Sequence, residues 1–289
     1  MDAPVDPRSG WRLPGPGAMT RTVQLEPQVT RVLAPNPSGM TLDGSNTYLV
    51  GEPGSGEVVI VDPGPDDARH LSAVEEVLRA RDARCVAVLV THFHGDHAEA
   101  AEPWGTRFGA TVAAADRRVA GPLGRLLEAG ERLRVAGVVL DVVPTPGHTA
   151  DHLAFRLPSG AVLVGDHVLG RGTSVVTSPE GDLVAYLASL RRVHGLGPSA
   201  LYCGHGPELT QDPTAVLDFY LAHRAWREEQ LLAALAGGAA TVDEILAVVY
   251  AAVPRELWPA AAQSTRATLA KLTAEERVRP RPDDGFVLA

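Results

Sequence analysis

Cysteine is scarce in this chain: Cys85 and Cys203 are the only two in 289 residues. Both sit in apolar, strand-like runs, so a disulfide framework is excluded and a reducing cytoplasm is the expected compartment. No apolar run approaches the about 20 residues of a membrane-crossing helix. The N-terminus lacks the continuous apolar stretch of a secretory signal, because Pro4, Pro7, Pro14 and Pro16 break it. Residues 1–18 read as a mobile tail, with Met19 as an alternative start. Lysine is nearly absent: of 26 basic residues only Lys271 is a lysine, which points to a GC-rich coding bias and not to function. Net charge is −9, which argues against a basic face for duplex DNA. What remains, 45% hydrophobic and 21% charged residues, suits one large domain with a small appendage.

Against this background one segment stands out. Thr91-His92-Phe93-His94-Gly95-Asp96-His97 follows the apolar run 85–90, so four candidate metal ligands leave a buried strand within six residues. His92 and His94 are two apart and point the same way in extended chain. Asp96 and His97 sit where the chain turns into a helix and face a second position. Imidazole and carboxylate suit zinc and its first-row neighbours. The pattern predicts a metal site with two metals. Three further candidates, His148, Asp166 and His205, each follow another strand-like run, often beside Gly or Pro. Strand ends of this kind share one edge of a sheet in α/β proteins. His70, His194 and His223 lack such company and read as surface or satisfied core residues. His167 points away from the metals, and Cys203 is packed core.

At these residues the chain resembles the metallo-β-lactamase fold superfamily. Asp62 stands in Ile60-Val61-Asp62-Pro63-Gly64, followed by the His-x-His-x-Asp-His segment, then His148, Asp166 and His205. Stretches 36–50, 145–152 and 165–173 are similar to the lactamase-β-like subgroup of mitochondrial endoribonucleases and fungal polyketide thioesterases. The resemblance covers about residues 20–289. It implies an α+β four-layer αββα sandwich over residues 19–221. It also implies two zinc ions, with iron or manganese as alternatives. His92, His94 and His148 would hold the first, and Asp96, His97 and His205 the second, with Asp166 between them. Asp96 would also orient the attacking hydroxide. Subclass B1 β-lactamases carry a cysteine where this chain has Asp166, so β-lactams are a poor substrate expectation.

Asp62 reads as an orienting residue that accepts a hydrogen bond from a ligand histidine or nearby backbone. As a strand-end turn residue before Pro63-Gly64 it would serve the fold equally well. His152, four residues after His148, is either an acid for the leaving group or a structural partner for the loop.

The periodicities predict a helix over 67–81, strands near 110–114, 138–143, 153–157 and 161–165, and a helix carrying Leu183, Tyr186, Leu187 and Leu190. Asp212-Pro213 opens a long helix to about Gly237-Gly238. Thr241-Val242-Asp243-Glu244 is a capping box before a helix ending near Ala252. A third helix spans about Pro259 to Glu276, and strands near Val278 and 286–288 flank a wing at 280–285. Residues 222–289 thus resemble the subgroup's winged-helix appendage. From His223 onward eight basic residues face nine acidic ones, so a wall for the metal cleft is the expectation rather than a duplex reader. Three function classes follow: hydrolysis of a small acyl substrate (thioester, lactone or ester), cleavage of single-stranded RNA, and a non-hydrolytic metal protein that binds a partner. The acidic balance favours the first. Oligomeric state is not legible.

Overall fold

The computed structural model describes residues 2–282 and 284–289. Seven strands form one sheet in chain order: β1 (Thr22–Glu26), β2 (Val29–Leu33), β3 (Asn46–Val50), β4 (Glu57–Val61), β5 (Arg84–Leu89), β6 (Thr111–Ala114) and β7 (Arg125–Leu126). Strands β1 to β4 pair antiparallel. Strands β4 to β7 pair parallel, which requires crossovers. These are α1 (Ala68–Ala80), α2 (Gly95–Ala98) with α3 (Ala101–Phe108), and α4 (Arg117–Ala120). The second sheet holds β8 (Arg132–Val135), β9 (Val138–Pro144), β10 (Leu153–Arg156), β11 (Val162–Gly165) and β12 (Leu201–Cys203). Helix α5 (Leu183–Gly195) is the crossover between its parallel pair β11 and β12.

Alternation along the strands builds the layers. On β4, Val59 and Val61 enter the core between the two sheets, while Val58 and Ile60 meet α1 and α3. A strand buried on both faces reads as a continuous apolar run, as this one does. On the second sheet, Phe155 and Leu163 face the same inter-sheet core. Ala154, Val162 and Val164 pack outward against Leu183, Tyr186 and Leu190 of α5. The result is helix, sheet, sheet, helix. Each fully buried Val or Leu in these layers contributes roughly 1.5–3 kcal/mol.

The helix starts follow their caps. Asp67 accepts from the backbone N–H groups of Arg69 and His70, and Asp212 from that of Ala215. Helix α6 (Pro213–Ala236) begins with its proline in the first turn. It runs unbroken across the expected boundary at 221–222, so the sandwich domain and the appendage share one helix. Helix α7 (Val242–Val249) has the Thr241–Glu244 capping box. Helix α8 (Trp258–Ala274) and the hairpin β13 (Val278–Pro280) with β14 (Phe286–Leu288) complete the appendage. Its own core joins Leu231, Leu235, Ile245, Leu269, Leu272 and Val278. Of the expected wing at 280–285, Asp283 lies outside the described residues.

Two expectations need correction. The functional strand ends do not share one sheet edge: β4 and β5 belong to the first sheet and β9, β11 and β12 to the second. They converge because the two sheets present their carboxyl ends to the same end of the sandwich. The tail expected to be mobile is laid over the domain from Asp6 onward. Arg8 is buried and donates to Leu169 O at 2.8 Å and Gly172 O at 2.7 Å, and Trp11 and Leu13 pack on the outer core. Gly17 N donates to Asp43 at 2.6 Å. A short proline-punctuated segment held by such isolated contacts carries no periodic apolar pattern. No helix of the described residues is long and apolar enough to cross a membrane.

Candidate metal centre

Four strand ends deliver the seven predicted ligands. His92 and His94 leave β5, Asp96 and His97 sit on α2, His148 follows β9, Asp166 follows β11 and His205 follows β12. The structure brings all seven together, in groups His92–His94–His148, His92–His97–Asp166 and Asp96–His97–His205. His94 Nδ1 lies 3.0 Å from His92 Nε2 and 3.1 Å from His148 Nε2. His205 Nε2 lies 3.3 Å from His97 Nε2 and 3.0 Å from Asp96 Oδ2. Ligand atoms held tetrahedrally at about 2 Å from an ion stand about 3.3 Å apart. Lone pairs converging at that spacing without a proton between them match a cation cradle better than mutual hydrogen bonding. Asp166 sits between the groups: its Oδ2 is 3.3 Å from His205 Nε2 and 3.9 Å from His148 Nε2. Its Oδ1 lies 3.3 Å from His97 Nε2.

In four of the five candidate ligand imidazoles the second nitrogen has a partner that fixes which nitrogen points inward. His97 Nδ1 donates to Asp62 Oδ2 at 2.9 Å, His148 Nδ1 to Val175 O at 2.6 Å and His205 Nδ1 to Gly44 O at 3.2 Å. His92 Nδ1 contacts Thr91 Oγ1 at 2.9 Å. Asp62 also accepts from Thr91 N at 2.7 Å and Thr91 Oγ1 at 2.8 Å. Burial holds His92 and His148 below the usual imidazole range, so both are neutral and ligand-competent. For His205 burial works the same way, but Asp166 and Asp96 outweigh it and lift the group to about 9. Those carboxylates attract positive charge to this position, whether a proton or a cation.

His152 is placed behind this layer. Its ring stands 5.0 Å from that of His92, Nδ1 bonds Thr145 Oγ1 at 2.8 Å, and the side chain is 1% exposed. Its Nε2 is buried with no hydrogen-bond partner among the described residues, and this enclosure favours the structural alternative over the leaving-group acid. His167 is likewise enclosed, its ring 4.8 Å from that of Tyr186. His70 is buried against Thr47 at 2.8 Å, and His194 pairs with Asp218 at 3.1 Å on the surface. Cys203 is fully buried.

A cleft of about 320 Å³ opens beside the centre. His148 and Asp166 form its floor, with the loops carrying Leu42 and Leu169 to Val175 as sides. The far wall is the appendage: His223, Arg224 and Arg227 of α6, then Tyr250, Val253, Leu257 and Ala261. Sequence reading missed His223, Arg224, Arg227 and Tyr250. The only signal available was the i, i+3 pair of arginines on a helix expected to bridge the two domains.

Residues 40–205 match the metallo-β-lactamase superfamily, and residues 241–285 match the β-lactamase-associated winged helix domain. The chain belongs to the metallo-β-lactamase superfamily, a superfamily of hydrolases, and carries that winged helix at its C-terminus. It is 32% identical over 283 residues to a β-lactamase-like protein 2 homolog of Drosophila melanogaster, covering 91% of this chain and 92% of the relative. It is 32% identical over 279 residues to an atrochrysone carboxyl ACP thioesterase of Aspergillus chevalieri, covering 93% and 87%. Among solved structures, a metallo-β-lactamase family protein of Thermus thermophilus is similar over 92% of this chain and all of that one. The TM-score is 0.76 and the identity 28%.

Proposed function

We propose that the protein is a dinuclear zinc hydrolase of small acyl substrates, a thioester, lactone or ester, working in the cytoplasm. The observation that carries the reading is the pair of three-ligand groups with Asp166 between them, at the floor of a largely apolar cleft. His92, His94 and His148 would hold one ion, Asp96, His97 and His205 the other, and the carboxylate of Asp166 would reach both. When bound, such a pair lowers the pKa of a shared water from about 16 towards about 7 and polarises the substrate oxygen.

The chain's own groups do the rest. Asp96, the most open carboxylate of the set at 30% side-chain exposure, would help hold the second ion and accept a hydrogen bond from the attacking water, orienting it. Asp62 keeps His97 in the tautomer whose Nε2 points inward. Leu42, Leu169, Val175, Val253 and Leu257 exclude bulk water and receive an apolar acyl group. The thioesterase among the relatives supports this substrate class. The cleft arginines favour a second reading, cleavage of single-stranded RNA, through its phosphates.

Purified protein assayed against thioesters, lactones and a labelled RNA oligomer separates the two. Elemental analysis on the same sample is expected to give close to two zinc ions per chain. Asp96→Ala is expected to lower turnover of any substrate by more than tenfold at an unchanged unfolding midpoint. RNA turnover alone would overturn the acyl reading, and a firm stoichiometry of one would overturn the dinuclear one.

A further inference from the structure

Resting on the acyl-hydrolase reading, we propose that Arg224 and Arg227 form an anion-recognising wall. The substrate carries a permanent negative charge away from the bond that breaks, a carboxylate on the acyl part or a phosphate on the leaving group, and seats it there.

The two arginines lie three apart on α6 and therefore on one face, and both line the cleft. Neither pairs with an acidic side chain among the described residues. The third cleft arginine, Arg171, is different: Asp43 neutralises it, and its Nη1 is tied to Pro14 O at 2.8 Å. Arg224 donates from Nη2 to Ser174 O, and its guanidinium lies 5.1 Å from the centre of the Tyr186 ring. Arg227 donates from Nη1 to Gln230 Oε1 at 2.9 Å and Val249 O at 3.0 Å. Its guanidinium is 4.5 Å from the ring centres of both Trp226 and Tyr250. The Nε of each arginine is buried with no acceptor.

Two like charges at this spacing repel, and a fold that needed only packing here would gain by making one neutral. The pair is instead clamped by aromatic rings and backbone carbonyls, which removes the rotamer freedom that a ligand would otherwise have to freeze. A fixed guanidinium is suited to the paired oxygens of a carboxylate or phosphate. His223 beside them adds no charge at neutral pH, because burial and then the two guanidiniums hold it at about 4. Among the described residues the one carboxylate lining the cleft is Asp166, at the opposite end, beside the proposed metal ligands. An anionic substrate is therefore oriented: charge at the α6 wall, reacting carbonyl over the metal ligands.

The test is titration calorimetry on the zinc-loaded full chain with two probes that cannot be hydrolysed, S-methyl coenzyme A for a phosphate and glutarate for a carboxylate. At least one is expected to bind, and Arg227→Gln is expected to weaken it tenfold or more. Arg227→Lys, which keeps the charge but not the fork, is expected to weaken it less and stands in should Arg227→Gln fail to fold. Whichever probe binds identifies the charged group. Binding by neither, or equal affinity in the parent and the Arg227 variants, overturns the proposal. So does an Arg227-dependent oligoribonucleotide complex where both small anions fail. Turnover of two negatively charged thioesters, acetyl-coenzyme A and a glutaryl thioester of N-acetylcysteamine, is measured alongside. Its absence overturns the acyl reading alone, since the calorimetry needs no turnover.

Discussion

Asp62 joins Thr91 and His97: its Oδ1 takes the Thr91 backbone N–H at 2.7 Å, while Oδ2 takes the Thr91 hydroxyl at 2.8 Å and the His97 imidazole at 2.9 Å. One carboxylate at the end of β4 thereby fixes the end of the neighbouring strand and the tautomer of a ligand that lies beyond it. Its backbone is left-handed, with φ 51°, a conformation that Asp and Asn tolerate better than other side chains. Asp62→Asn therefore keeps the turn but loses one of three acceptor interactions. The expected outcome is a 10- to 100-fold loss of metal affinity with little change in melting temperature. Competition with a chelator of known affinity measures it, and unaltered zinc retention would contradict the orienting role.

Gly204 allows the backbone of the second sheet to pass beside the centre. A Cβ there would stand 2.4 Å from Asp166 Oδ1 and 2.7 Å from His97 Cε1, closer than unbonded atoms approach. Gly204→Ala must push Asp166 or His97 aside. Overpacking of this kind costs about 1–3 kcal/mol, and here the displaced groups are proposed metal ligands. Zinc content is expected to fall below two per chain and activity by at least tenfold. Metal analysis and steady-state rates on one preparation check it; a fully loaded, fully active variant would sink the argument.

The grouping of the candidate metal ligands was legible in the sequence for a physical reason. Ligands must be His or Asp at strand ends, and strand ends announce themselves where an apolar run meets Gly or Pro. The caps Asp212 and Thr241 were legible in the same way, since each is a local side-chain-to-backbone contact; the cap at Asp67 came only with the structure. The cleft was not legible. Its wall depends on the angle at which α6 leaves the catalytic domain, a tertiary fact that brings Arg224 to Ser174, 50 residues away. Arg8 likewise reaches Leu169 and Gly172 from a segment with no periodicity of its own. Even His70, which lacked ligand company, proved to support Thr47 beneath Asp62: the Thr47 hydroxyl donates to Asp62 O at 2.6 Å.

His70 gives the fold a pH dependence away from the metals. Burial, then repulsion from Arg21, holds it at about 4 against the usual 6.5. The folded group stays neutral while the unfolded one takes up a proton. Stability is therefore complete above about pH 6.5 and declines as pH falls towards 4, by roughly 3 kcal/mol in all. Urea midpoints at pH 7.5 and 4.5 for the parent and for His70→Gln measure it. The variant is expected to lose less stability between the two pH values, and an equal loss in both proteins would exclude His70 as the source.

The appendage is expected to be part of the active cleft and not a separable module. Helix α6 carries Arg224 and Arg227 into the wall, and α7 and α8 hold that helix through Leu231, Leu235, Ile245, Leu269 and Leu272. Deleting residues 238–289 leaves α6 in place but removes Tyr250, Val253, Leu257 and Ala261 from the cleft. It also uncovers Leu231 and Leu235, now 3% and 8% exposed, and takes away one of the two rings that clamp Arg227. Turnover of a small thioester is expected to fall at least tenfold, with increased binding of a hydrophobic dye. A nucleic-acid platform predicts otherwise: full activity on the thioester, with RNA affinity lowered and its salt dependence weakened. The two outcomes are exclusive, because the same four side chains cannot both wall the cleft and be dispensable to a substrate small enough to fill it.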